Sequence, residues 1–261
     1  SPGQARAGVA RLADCGMLAH RYGDPRGLKA DRSIMLALLE YYRGDEYINE
    51  TGLRRYDRDF RDSWTHEVAI LFDLLEESGA FSDQERLDLT NLIIRLGFEC
   101  VCYQGWNKPA TIAAWARNTK IVHNHNTFPA LGVLFAGNYL KRHYAATFVD
   151  DWLKVAHGIF NGQKHAWKPL EDSAGYQWLP IIHTMMYSLA EDDMSFFAEG
   201  HARQAADAAL QLMDCAGNQA AFGDYSALKG SSGLGATLRT AAWYHRDAGF
   251  SWAAKLAGKD S

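Results

Sequence analysis

The sequence predicts an all-α protein, a closed or partly closed ring of antiparallel helical hairpins. Apolar residues recur at helical spacing along almost the whole chain, while alternating, strand-like patterns are scarce. The periodic stretches run to about 15–20 residues and are joined by short loops with cap and stop signals. Helices that each carry one wide apolar face must bury those faces against one another. No fixed sequence period marks a regular solenoid, which favours a ring of hairpins over a superhelix.

Taken in order, Ala5 to Arg21 and Pro25 to Arg43 form a hairpin around Tyr22-Gly23-Asp24. Asp24 stands at the N-cap and Pro25 at the first helical position, where a missing N–H is no loss. Ser63 to Glu77 carries Val68, Ile70, Leu71, Leu74 and Leu75 at helical spacing and stops at Ser78-Gly79. The pattern restarts at Ser82, with Glu85 three residues on as a capping box. Further helices are expected from Thr119 to Tyr139, Tyr144 to Phe160, Trp178 to Leu189 and Phe197 to Cys215. Tyr103 to Asn118, Gly162 to Gln177 and Gly217 to Gly235 break the pattern and are rich in Gly, Trp, Asn and His. Irregular segments on a rigid scaffold are where function concentrates.

Composition narrows the function classes. The 261 residues carry 27 Lys plus Arg against 31 Asp plus Glu, a net charge of −4 that argues against phosphate-backbone binding. At 48% hydrophobic, with 12 Tyr, 12 Phe and 8 Trp, the chain has ample material for a core and none of the character of a disordered one. No run of about 18 uncharged apolar residues provides a membrane span. Ser1 to Val9 lacks the charged-then-apolar pattern of a leader, so the sequence by itself leaves the compartment open. Four cysteines are few for a disulfide scaffold. Cys100 and Cys102 diverge on a helix and are expected as packed thiols, and Cys15 and Cys215 pair only if the fold brings them together.

Three clusters in or beside the irregular segments carry chemistry. The first, His123-Asn124-His125-Asn126-Thr127-Phe128, opens a helix; capping by Asn124 or Asn126 explains the amides but not the two histidines. The second, Glu171-Asp172-Ser173-Ala174-Gly175-Tyr176-Gln177-Trp178, delivers an aromatic hydroxyl just ahead of a helix. The third is Phe222-Gly223-Asp224-Tyr225, where Gly-Asp also suits a turn.

In this order the clusters resemble the helical domain of the heparinase II/III-like and alginate lyase families, polysaccharide lyases built on an (α/α) toroid. The resemblance covers most of the chain. It begins with the hairpin from Trp64-Thr65-His66-Glu67 to Phe72-Asp73-Leu74-Leu75 and Phe81 to Arg86. It continues through Asn124-His125-x-Thr127-Phe128 and Glu171-Asp172-Ser173-x-Gly175-Tyr176 to Phe222-Gly223-Asp224. The pair Asn124-His125 is preferred over His123-Asn124 because Thr127 and Phe128 follow it. The resemblance implies an incomplete (α/α) toroid as one catalytic domain over residues 1–261. It also implies an extracytoplasmic setting and an acidic, uronate-containing polysaccharide, alginate- or glycosaminoglycan-like, as substrate. No cofactor, metal, nucleic acid or membrane partner is implied, and the oligomeric state is left open. Full-length members add a β-sandwich domain after the toroid; no strand-rich region here supplies one.

The implied reaction is β-elimination at a uronic acid unit. The C5 proton lies alpha to a carboxylate and becomes acidic only when that charge is neutralised. Asn124 resembles the families' neutralising Asn and brings two N–H donors, with Arg117, Gln177 and His66 as helpers. His125 is placed to take the proton, and Tyr176 to protonate the leaving 4-oxygen; in a syn geometry a tyrosinate performs both transfers, and the sequence leaves the base open between them.

Trp64, Trp106, Trp115, Trp167 and Trp178 lie at helix starts or in irregular segments, where an indole face stacks on a sugar ring as readily as it packs in a core. Trp64 and Trp178 are the expected subsite residues, with Asp224 as a further contact. Zinc binding by His123 and His125 is disfavoured because positions two apart on a helix point apart. Gly230 to Gly235 lacks a phosphate-loop lysine and reads as a flexible loop. Two other readings stand beside the lyase. One is an (α/α)-barrel glycoside hydrolase using Glu171, Asp172 and Asp224 as carboxylates; the other is a non-catalytic glycan-binding module.

Overall fold

The computed structural model describes residues 8, 12, 15, 16, 18–43, 64–170, 173–223 and 232–258. Among these every regular element is helical, and one isolated bridge joins Met213 to Gln219. The helices are α1 (Pro25–Arg43), α2 (Thr65–Leu75) with a 3-10 turn at Glu76–Ser78, α3 (Asp83–Gln104), α4 (Pro109–Trp115) and α5 (Asn124–Tyr144). They continue with α6 (Asp150–Gln163), α7 (Trp178–Ala190), α8 (Ser195–Ala198), α9 (His201–Gln211), α10 (Ser232–His245) and α11 (Ala248–Ala257). Most of the first hairpin's leading arm, Ala5 to Arg21, lies outside the described residues.

Local signals set several boundaries as expected. The Asp24 carboxylate accepts the Arg26 backbone N–H at 2.9 Å ahead of α1. Ser82 and Glu85 close both arms of a capping box on α3. Gly79 and Gly105 adopt left-handed φ of 75° and 67° at helix ends, which a residue without Cβ does freely. Other boundaries moved. The helix expected to end at Tyr139 runs on to Tyr144, and the one expected from Tyr144 starts at Asp150, because Ala145 turns left-handed, φ 51°, and two aspartates occupy the first turn of α6. The stretch expected as one helix from Phe197 splits at Gly200, φ 87°, into α8 and α9. Helices α4, α10 and α11 form where no helix was expected. The end of the glycine-rich loop, Ser232 to Gly235, is the first turn of α10, because Gly233 presses against the Trp178 side chain where a Cβ would come within 2.8 Å.

Contacts group the described chain into two compact units, one within Ser1–Ala113 and Phe128–Val155, the other within Ala114–Thr127 and Ala156–Ser261. In the first, α1 and α2 both pack on α3, and Met35, Leu38, Val68, Phe72, Leu89, Ile93 and Leu96 of these helices are buried. Gly97 on α3 admits the Trp152 ring where a Cβ would overlap it. Glu76 accepts the Tyr139 hydroxyl at 2.8 Å and the Tyr144 hydroxyl at 3.2 Å, anchoring the far end of α5. In the second unit, α7 to α11 share a core of Trp178, Ile181, Met185, Phe196, Phe197, Leu234, Leu238 and Phe250. Alanines 202, 205, 206 and 209 give α9 a flat face that lets its neighbours approach closely. On α3 Cys100 is buried and Cys102 exposed, as their helical spacing requires.

Candidate active site

The second unit holds the Asn-His pair, Arg117, Tyr176 and Gln177. Its geometry starts from two glycines. Gly158 and Gly162 lie one turn apart on α6, and Cβ atoms there would overlap the Trp115 and Lys120 carbonyl oxygens. Their absence lets the Trp115 to Val122 chain lie directly on the helix. Asn118 fixes it by donating to the Lys120 carbonyl at 2.8 Å, and Gln163 accepts the Val122 N–H at 3.1 Å. Arg117 stands exposed on this segment, and no ion pair joins it to a carboxylate among the described residues.

The chain then enters α5. The cap is His123: its Nδ1 accepts the His125 backbone N–H at 3.3 Å, and its carbonyl accepts from Asn126 and Thr127. This corrects the expected capping by Asn124 or Asn126. It also corrects the expected divergence of the two histidines, because His123 precedes the helix and its ring stacks on that of His125, centroids 5.0 Å apart and planes within 9°. Among the described residues no group of three His, Cys, Asp or Glu side chains is placed to hold a metal ion. Asn124 is buried and its neighbour His125 exposed, so one turn carries a buried amide beside an imidazole at the surface. The Thr127 hydroxyl lies 3.2 Å from the Asn124 carbonyl and 2.7 Å from Nδ1 of His183, a buried residue of α7 that the sequence did not single out.

Glu171 and Asp172 of the second cluster, and Asp224 of the third, lie outside the described residues. The rest of the second cluster is held by Gln219, whose amide donates to the Ala174 carbonyl while its oxygen accepts the Trp178 indole N–H at 3.0 Å. The Ala174 N–H in turn donates to the Phe222 carbonyl at 3.0 Å. On this braced turn Tyr176 is 40% exposed. Gln177 is buried, and its amide nitrogen has no hydrogen-bond partner among the described residues. An unpaired buried donor is costly, and an incoming acceptor would satisfy it.

Trp178 is a correction. It is 1% exposed and belongs to the core of the second unit, so its ring has no free face for a sugar. Trp106 is likewise buried, and Trp64, Trp115 and Trp167 are half-buried. The exposed indoles are instead Trp243 and Trp252, both 63% exposed, on helices the sequence did not announce. Trp64 and His66 belong to the first unit, at the start of α2. Burial holds the His66 imidazole down at about 4, so it is neutral at physiological pH, and burial pushes the adjacent Glu67 carboxyl up to about 7.

The chain matches no known protein family, no curated protein and no solved structure.

Proposed function

We propose that the protein is a polysaccharide lyase that cleaves a uronate-containing polysaccharide by β-elimination, its helical hairpins forming an incomplete (α/α) toroid outside the cytoplasm. The observation that carries this reading is the first turn of α5, where the buried amide of Asn124 adjoins the exposed imidazole of His125. The half-exposed Tyr176, the Gln177 amide nitrogen without a partner among the described residues and the exposed Arg117 cation in the same unit support it.

In this mechanism Asn124 donates to the uronate carboxylate, helped by Gln177 and Arg117, and so stabilises the enediolate as it develops. His125 or the Tyr176 oxygen takes the C5 proton. The electrons of the C5–H bond form the C4–C5 double bond, the C4–O bond breaks, and the leaving oxygen receives a proton from Tyr176. Every step uses side chains of this protein.

A panel of alginate and glycosaminoglycans, followed at the near-ultraviolet absorbance of the unsaturated uronate, tests the reaction class. New reducing ends without that absorbance would mark a hydrolase, and binding without turnover a glycan-binding module. Asn124→Ala is expected to lower the rate about 10²–10³-fold with the fold intact, the usual loss for one oxyanion-type donor. Near-normal turnover in that variant would remove Asn124 from the mechanism. A large drop in melting temperature would show that it serves the helix start instead.

A further inference from the structure

We propose that His183 is a positioning residue that sets the separation between the two halves of the lyase site, Asn124-His125 on one side and Tyr176 on the other. The proposal rests on the lyase reading. Tyr176 and Gln177 directly precede α7, and His183 lies on that same helix, about 9 Å along its axis from Gln177 at 1.5 Å per residue. His183 bonds Thr127, and Thr127 contacts the Asn124 carbonyl, so one rigid helix carries one half of the site and holds the other.

The first turn of α5 needs that hold. Pro129 lies inside the helix and has no N–H for the His125 carbonyl, so the rung that would close the turn over His125 is missing. The His183 to Thr127 bond spans 56 residues of sequence, is only 2.7 Å long, and joins two side chains that are 3% and 0% exposed. A threonine hydroxyl has a single proton, and the Asn124 carbonyl only accepts. The short bond is therefore donated by His183 Nδ1 when that proton rests on the carbonyl, and by the hydroxyl when it rests on Nδ1.

The bonded ring position, Nδ1, separates two variants of similar size. Asparagine places an amide able to donate or accept near the Nδ1 position, whereas glutamine places its own near Nε2. His183→Leu and His183→Gln are expected to lower kcat about 10–100-fold with KM changed less than about threefold, since a misplacement of about 1 Å costs up to about 10² in rate. His183→Asn is expected to stay within a few fold of the parent. Amide exchange at Asn126 and Thr127 should quicken in His183→Leu and His183→Gln but not in His183→Asn.

Parent-like kcat in His183→Leu overturns the inference, as does equal loss in the asparagine and glutamine variants. If His183→Leu fails to fold, the asparagine and glutamine pair decides. Absence of turnover by the unmodified protein on the whole uronate panel sinks the lyase reading. The positioning claim then stands or falls on the exchange pattern, and equal exchange in all variants defeats it.

Discussion

Tyr176 separates chemistry from packing at the level of one atom, because phenylalanine keeps the ring and deletes only the hydroxyl. A hydroxyl that transfers a proton makes Tyr176→Phe about 10²-fold slower or worse with KM largely kept. A packed ring at 40% exposure loses at most about 1 kcal/mol of stability and no activity. Steady-state kinetics beside a melting curve distinguishes them. In the first unit, Asp31 is fully buried on α1, neither carboxylate oxygen is hydrogen-bonded among the described residues, and desolvation pushes it up to about 7. A carboxyl raised this way is neutral in the folded state, so its contribution is whole below its ordinary value of 3.8 and is lost as pH rises to about 7. Glu67 acts in the same direction and window. His66 acts oppositely, its contribution present above 6.5 and lost as pH falls towards 4. Asp31→Asn holds the neutral state, so its stability should exceed the parent's at about pH 8 by a few kcal/mol and converge with it near pH 4. Equal melting temperatures at both pH values would contradict this account of Asp31.

Among the elements, α6 and α10 show that glycines inside helices have opposite meanings. Gly158 faces the Trp115 backbone, which cannot move aside, and Gly158→Ala is expected to destabilise by about 2–3 kcal/mol or more in urea denaturation. It would also displace the segment that bears Arg117. Gly235 on α10 would bring a Cβ no closer than 3.8 Å to any neighbour, and Gly235→Ala should stabilise by about 0.5–1 kcal/mol through helix propensity alone. Matching effects of the two substitutions would mean that the close approach on α6 is not what holds the 115–122 chain.

The net charge of −4 gives the whole molecule no general attraction for a polyanion, so the acidic glycan proposed as substrate would be held by local contacts such as Arg117. kcat/KM is therefore expected to fall only a few fold between about 50 mM and 500 mM salt, where the screening length shortens from beyond 10 Å to a few ångströms. A steeper, hundredfold loss would point to long-range steering that this charge distribution does not supply.

The sequence by itself determined the all-helical class and those boundaries that nearby residues control. Asp24 with Pro25, Ser82 with Glu85, and the buried and exposed pair Cys100 and Cys102 act within a turn or two, where spacing fixes geometry. It also brought forward the Asn124-His125 pair and the Tyr176 turn, because those residues cluster along the chain. Burial and long-range pairing were decided only by the tertiary structure. Trp178 looked like a platform until α10 packed Gly233 against it and Gln219 took its indole N–H. His183 had no local signal, because its partner Thr127 lies 56 residues away and only the packing of α7 against the start of α5 joins them. Gly158 and Gly162 read as ordinary residues of a helix until the backbone they seat was in place. Helical spacing shows which residues share a face, whereas what that face meets depends on side chains far away in the chain.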